Sequence, residues 1–267
     1  MIKIIGYDAM FQVTPIPAFN DNYIWMLSHE NAPKQVVVVD PGDAQAVIDV
    51  LKKQELTLEA ILITHHHQDH TGGVAALANQ YSIPIYGPAN SPFTGITHPL
   101  EDGDTIQVLN TALSIKAVPG HTLDHIAYFS EQDTPQLLCG DTLFLAGCGR
   151  LFEGTAQQML SAMNYFKSLP DSTQVYCTHE YSLANLAFAN AVEPNNEAIQ
   201  SCIESCKALR AENKPTLPSS IAQEKSINPF MRTHLSSVQT SINQHTAQSF
   251  SSEEAIFAAL REWKNHF

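Results

Sequence analysis

Residues 60–64 form a short apolar stretch that runs directly into Thr64-His65-His66-His67-Gln68-Asp69-His70, and nothing else in the chain restricts its fold so tightly. The stretch reads as a buried strand. In the extended chain leaving it, side chains two apart point the same way. His65 and His67 can therefore reach one ion, while the adjacent Asp69 and His70 can face a second. Neutral imidazole and carboxylate suit zinc and also divalent iron or manganese. By the same alternation His66 and Gln68 point away. Gly72 and Gly73 follow at once and permit the tight turn that brings a helix close to such a site.

A cluster of this kind needs a scaffold that presents loops at strand ends. Residues 11–16, 23–28 and 35–40 read as strands separated by turn residues, among them Asn20-Asp21-Asn22. Val36 to Val39 is an unbroken apolar run, expected to be buried on both faces. It ends in the turn Asp40-Pro41-Gly42, followed by a helix over 44–54 and another over 73–80. Further strands are expected near 83–86, 105–109, 112–118, 126–130, 136–140 and 174–178, with a helix over 156–168 whose stripe is Met159, Leu160, Met163 and Phe166. Three more ligand candidates each close a strand: His121 after Val118-Pro119-Gly120, Asp141 after 137–140, and His179 after 175–178. His125 reads as a supporting or packing residue. This alternation implies layered sheets with helices outside.

After residue 181 the pattern turns helical. Leu183, Leu186 and Ala187 fit one face, Ile199, Cys202, Ile203, Cys206 and Leu209 a second, and Ile256, Ala259, Leu260 and Trp263 a third. Residues 213–229, with Pro215, Pro218 and Pro229, read as a loop. A boundary is placed near residue 180, between an α/β sheet domain and a helical one.

Composition narrows the partners. Among 267 residues, 27 acidic against 14 basic give a formal charge of −13, a field that repels phosphate backbones and argues against nucleic acid. An anionic substrate would need its own local Arg or Lys. His29, His98, His245 and His266 read as scattered structural histidines. The five cysteines form no Cys-x-x-Cys pair; Cys202 and Cys206 are taken as small buried hydrophobes, and a reducing compartment, the cytoplasm, follows. No apolar run reaches the roughly 18–20 residues that span a bilayer. Residues 1–9 are a candidate extension or tag, with Met10 a candidate initiator.

The ligand run resembles that of the metallo-β-lactamase superfamily. Beyond it, the chain from about residue 11 to its end resembles the hydroxyacylglutathione hydrolases, glyoxalase II. The resemblance is carried by Pro17-Ala18-Phe19-Asn20-Asp21-Asn22-Tyr23, the histidine run, Gly140-Asp141-Thr142-Leu143-Phe144, the segment from Gly147 to Thr155, His179-Glu180-Tyr181, and Asn228-Pro229-Phe230-Met231-Arg232. It implies an αββα sandwich over residues 1–180 as the catalytic domain and a C-terminal helical, glutathione-binding domain over 181–267. His65, His67 and His121 would hold one metal, Asp69, His70 and His179 the other, and Asp141 would bridge them. Two divalent ions, zinc expected with iron or manganese open, would share a hydroxide whose parent water is acidified to a pKa near 7. The implied reaction is hydrolysis of S-lactoylglutathione to glutathione and D-lactate, the second step of methylglyoxal detoxification, by a monomer. Asp69 and Asp141 would be catalytic through that hydroxide.

Arg150, Phe152, Tyr181 and Arg232 stand where the family binds substrate, and Arg suits a carboxylate because its planar fork donates two hydrogen bonds. Two departures mark the glutathione pocket. Phe152 stands where many relatives have a hydrogen-bonding Tyr, and His234, Leu235 and Ser236 follow Arg232 where some carry another base. A persulfide dioxygenase of the same superfamily is the rival reading, but it uses a single iron and lacks the helical extension.

Overall fold

The structure, a computed structural model, describes residues 11–267, so the expectations for residues 1–9 and Met10 lie outside it. Strands β1 (Phe11–Ala18), β2 (Asn22–His29), β3 (Ala32–Val39), β4 (Thr57–Leu62), β5 (Ile85–Pro88) and β6 (His98–Leu100) make one sheet in that order. The first three form an antiparallel meander, and β3 to β6 run parallel. Helices α1 (Ala44–Gln54), α2 (Gln68–Thr71) and α3 (Val74–Tyr81) fall between them. A second sheet contains β7 (Thr105–Val108), β8 (Thr111–Ala117), β9 (Ile126–Ser130) and β10 (Gln136–Gly140). The hairpin β11 (Leu143–Phe144) and β12 (Gly147–Cys148) and helix α4 (Ala156–Ser168) precede β13 (Gln174–Cys177), which joins that sheet parallel to β10.

Period-two alternation splits the first sheet between two cores. Tyr23, Trp25, Leu27, Val37 and Val39 face the second sheet, while Ile24, Met26, Val36 and Val38 face Val47 and Leu51 of α1 and Val74 and Leu77 of α3. The run Val36 to Val39 is thus buried on both faces, and each such side chain contributes about 1.5–3 kcal/mol. Helix α1 starts where Asp43 caps the Gln45 and Ala46 N–H groups and stops at Glu55 in the left-handed region. Helix α4 starts on a capping box, Thr155 with Gln158, and buries the expected stripe of Met159, Leu160, Met163 and Phe166. The layers are therefore helix, sheet, sheet, helix.

The last layer is completed by α5 (Ser182–Val192), α6 (Glu197–Ala211), α7 (Ile221–Ile227), α8 (Ser236–Thr246) and α9 (Glu253–Asn265). Their apolar faces join the same core cluster as the inter-sheet residues. Two details differ from the sequence reading. In α5 Leu183 and Ala187 are exposed, and Ser182, Asn185, Phe188, Ala189 and Val192 are buried beside Leu186. The polar pair can be buried because Ser182 bonds Thr216 Oγ1 at 2.6 Å and Asn185 donates to Leu145 O at 3.2 Å. Residues 213–229 are not all loop: β14 (Ser219–Ser220) pairs with β13, and α7 follows on the Ser220 cap. Its stripe is hidden in sequence because the middle buried position is Glu224, between Ile221 and Ile227.

Glu224 is fully buried, which pushes its carboxyl up to about 7 despite hydrogen bonds from the Asn228 amide and the Ala146 N–H, both at 2.9 Å. Its pKa is higher folded than unfolded, so the stability it contributes is whole below about 4.5 and is lost as pH rises through about 7. Glu224→Gln keeps the acceptor and removes the titration. The variant should gain about 2 kcal/mol on the native protein between pH 5.5 and 8. Urea unfolding of both proteins at the two pH values checks this, and a difference that does not change with pH would refute it.

Candidate metal centre

The C-terminal ends of β4, β8, β10 and β13 bring their loops to one edge of the sandwich. After β4 the chain bends at Thr64 and His65, is extended at His67 and becomes helical at Gln68. This path brings His65 and His67 together, with His65 Nε2 at 3.1 Å from His67 Nδ1. His121 joins them from the loop after β8, its Nε2 at 3.1 Å from the same His67 nitrogen. Asp69, His70 and His179 make a second group, with Asp69 Oδ2 at 3.4 Å from both His70 Nε2 and His179 Nε2.

Asp141 stands between the groups. Its Oδ2 lies 3.5 Å from His121 Nε2 and 3.2 Å from His179 Nε2, and its Oδ1 lies 3.5 Å from His70 Nε2. Gly140 makes this placement possible: φ is +49°, and a Cβ there would meet Thr64 Oγ1 at 2.4 Å and His125 at 2.8 Å. His125 stacks on His65 and its Nε2 accepts the Asp141 N–H at 3.1 Å, so it supports Asp141.

The outward nitrogens are held too. His65 Nδ1 meets Thr64 Oγ1 at 3.1 Å, His70 Nδ1 meets Asp40 Oδ2 at 3.0 Å, His121 Nδ1 donates to Arg150 O at 2.8 Å, and His179 Nδ1 meets Asp21 Oδ1 at 2.8 Å. Such partners fix ring orientation and tautomer, leaving the inward nitrogen as the lone pair. Asn22 Nδ2 donates to Asp69 Oδ2 at 3.0 Å. Glu180 takes Tyr23 Oη at 2.8 Å and the Thr216 N–H at 2.9 Å, which ties the loop of His179 to β2 and to the stretch before β14.

The electrostatics divide the site. Burial holds His65, His67 and His121 below the usual imidazole range, as neutral donors. Burial also acts against charge on His70 and His179, but the Asp141 carboxylate outweighs it, raising His70 well above that range and His179 up to about 10. Burial would raise Asp69 and Asp141. The His179 and His70 rings, each with a nitrogen 3.4 Å from the carboxylate, win at Asp69, and the charges of His70 and His179 win at Asp141, so both stay ionised. His70 Nε2 and Asp141 Oδ1 are buried with no hydrogen-bond partner. Converging neutral lone pairs beside orphaned buried atoms are what a divalent cation with nitrogen and oxygen preferences would satisfy, so the residues fit metal.

A cavity of about 650 Å³ opens over this centre, lined by His67, Gln68, Asp69, His121, Asp141, Phe144, Arg150, Phe152, His179 and Tyr181. Tyr181 stacks on His179 with centroids 4.7 Å apart, and Phe144 meets both rings edge-on. Burial pushes the Tyr181 phenol up to about 12, so it remains a donor at neutral pH. Phe152 lies edge-on to His67 and His121 and carries the Arg150 guanidinium at 5.9 Å.

Two families match the chain: the metallo-beta-lactamase superfamily over residues 22–179 and the hydroxyacylglutathione hydrolase C-terminus over residues 180–267. A hydroxyacylglutathione hydrolase of Vibrio cholerae serotype O1 is 49% identical over 259 residues, covering 97% of this chain and 100% of that one. The chain belongs to the hydroxyacylglutathione hydrolase family. A second family protein, hydroxyacylglutathione hydrolase 2 of Vibrio vulnificus, is 48% identical over the same lengths. Among solved structures, the B3 metallo-beta-lactamase BLEG-1 superposes with a TM-score of 0.61 at 26% identity, covering 83% of this chain and 99% of that one.

Within this hydroxyacylglutathione hydrolase fold, two sequence expectations need correcting. Gln68 was expected to point away, yet it lines the cavity, because alternation ends where α2 begins. Arg232 was expected beside the substrate, yet it is not among the cavity residues. Its Nε and a terminal nitrogen donate to Glu193 at 2.6 and 3.0 Å, and the other donates to Lys225 O at 2.9 Å. The Glu193 carboxylate at the end of α5 captures the fork that a ligand carboxylate would need. The supporting residues Asp21, Asp40 and Glu180 were missed; the first two lie in segments whose turn propensity already explained them.

Proposed function

We propose that the chain hydrolyses S-lactoylglutathione to glutathione and D-lactate at two divalent cations, with zinc as the expected metal and iron or manganese able to fit the same donors. Asp141 carries the reading, because its two oxygens lie within 3.5 Å of members of both ligand groups. His65, His67 and His121 would hold one cation, Asp69, His70 and His179 the other, and Asp141 both. When bound, such a pair acidifies water and polarises a carbonyl. The protein's own residues do the rest. Asp21, Asp40, Thr64 and the Arg150 carbonyl aim the imidazoles. Tyr181 offers a phenolic hydrogen bond, and Phe144 and Phe152 line the cavity. The glutathione thiol leaves readily because its ordinary pKa, about 8.5 for such a group, asks for no strong acid.

Arg150 is the cation at the cavity, and no carboxylate pairs with it among the described residues. It is the proposed partner for a glutathione carboxylate in a protein of net charge −13. We propose Arg232 as a clamp on the end of α5 instead. The division near residue 180 is proposed as one of labour within a shared core: residues up to 180 supply the chemistry, and the helical part contributes Tyr181 to the cavity wall. Five cysteines, all unpaired and buried, support a reducing compartment such as the cytoplasm.

Metal analysis on a sample assayed with S-lactoylglutathione tests the reading. About two equivalents per chain with turnover are expected. Arg150→Ala should raise KM roughly tenfold, the loss of one charged hydrogen bond, with metal content unchanged. One iron per chain without turnover would refute the proposal.

A further inference from the structure

His66 lies between two proposed ligands, and its own ring turns to the far side of the loop. There Nδ1 donates to Asp124 Oδ1 at 2.9 Å, and Nε2 lies 3.4 Å from Glu153 Oε1. The other oxygens of both acids are taken: Asp124 Oδ2 by the Ser91 hydroxyl at 2.7 Å, and Glu153 Oε2 by the Leu123 N–H at 2.8 Å. Asp124 is 3% exposed and His66 21%. The acids flank opposite edges of the imidazole, one at each ring nitrogen.

The connections matter more than any single bond. The loop of His66 also carries His65 and His67. The loop of Asp124 also carries His121, and that of Glu153 carries Arg150 and Phe152. The last two loops are laced further, Phe152 N–H to His121 O at 3.2 Å and Gly154 N–H to Gly120 O at 3.1 Å. Residues 63–67 belong to no helix or strand: backbone bonds hold the segment at Ile63 (N–H to Tyr86 O, 2.8 Å), Thr64 (O from Ile126 N–H, 2.9 Å) and His67 (O from His70 N–H, 3.0 Å). At His65 and His66 no backbone N–H is paired with another loop among the described residues, so the His66 side chain supplies the tie across to the loops of Asp124 and Glu153. In an extended segment, fixing the middle side chain fixes the directions of both neighbours.

We propose that His66 is a positioning residue: held between Asp124 and Glu153, it sets the rotation of the loop that aims His65 and His67 and locks it to the loop bearing His121. The inference rests on the assignment of those three histidines to one cation. It makes an asymmetric prediction, because Asp69, His70 and His179 are anchored instead by Asn22, Asp40 and Asp21.

Chelator competition on the cobalt-loaded full-length protein reads it. In His66→Ala one cobalt equivalent should leave at a chelator concentration roughly 10–100-fold lower than in the native protein, the usual cost of removing a ligand's outer partner. The second equivalent should leave as before, and only part of the cobalt visible spectrum should change. His66→Asn, whose amide nitrogen takes the place of Nδ1 and keeps an N–H for Asp124, should restore most of the lost affinity. Two equivalents that leave as in the native protein would overturn the inference. So would equal weakening of both without rescue by Asn, which marks a general folding role. If the native protein holds one equivalent only, the two-cation reading fails, and this inference falls with it.

Discussion

Asp141→Asn is expected to lower thioester turnover by roughly a thousandfold, the equivalent of about 4 kcal/mol in the barrier, and to reduce bound metal to one equivalent or fewer. The substitution keeps shape and backbone, including the N–H that His125 Nε2 accepts at 3.1 Å. It removes the anion that, among the described residues, faces His121, His179 and His70 together, at 3.5, 3.2 and 3.5 Å. An amide offers one neutral oxygen and one N–H, so it cannot serve two cations. The loss also reaches His70 and His179, whose pKa values stand above the imidazole range because of this carboxylate. Metal analysis beside the kinetic assay checks the expectation. A variant with two equivalents and near-native turnover would remove Asp141 from the bridging position.

What the sequence exposes and what it hides follow from the kind of signal each residue carries. His65, His67, Asp69 and His70 stand at spacings that loop geometry turns directly into proximity. His121, Asp141 and His179 show because each ends a recognisable strand, and strands of like direction bring their ends to one edge. Helices α1 and α4 show through a cap at one end and an apolar stripe along one side. Helix α8 carries only Val238 and Ile242 as buried apolar positions, too few to make a pattern. Asp21 and Asp40 hide because Asp in a turn needs no further explanation. Their partners, His179 and His70, are 158 and 30 residues away, and only folding pairs them. Arg232 shows the opposite hazard: a residue type suited to a ligand carboxylate is equally suited to Glu193.

The charge balance has a consequence of the same kind. A chain at −13 has abundant acid to distribute, and at this site carboxylates serve both as inward donors and as outward anchors. Asp69 and Asp141 face the centre, while Asp21 and Asp40 hold histidines from behind. That surplus favours divalent cations and disfavours an anionic thioester, leaving Arg150 to offset it at the cavity mouth. Affinity for glutathione should therefore depend on one guanidinium more than on the general field.

Asp40→Ala is the substitution expected to cost the fold most. The Asp40 carboxylate accepts the Thr64 N–H at 2.8 Å, the Thr64 hydroxyl at 2.7 Å and His70 Nδ1 at 3.0 Å, and all three residues are buried. Alanine leaves these donors without partners in a dry interior, at about 1–3 kcal/mol each before relaxation. It also places an ordinary side chain at φ 54°, a left-handed conformation that costs about 1–2 kcal/mol. A loss on the order of 4 kcal/mol is expected, a large fraction of a typical domain's stability. Asp40→Asn separates the causes, because Asn tolerates the left-handed region and keeps an acceptor oxygen while removing the charge opposite His70. That variant should retain most of the stability and lose roughly 10–100-fold in metal affinity. Guanidinium unfolding of the metal-free proteins and metal titration of the same samples make the comparison. If Asn destabilises as much as Ala, the charge carries the fold. If neither destabilises, the three hydrogen bonds are incidental.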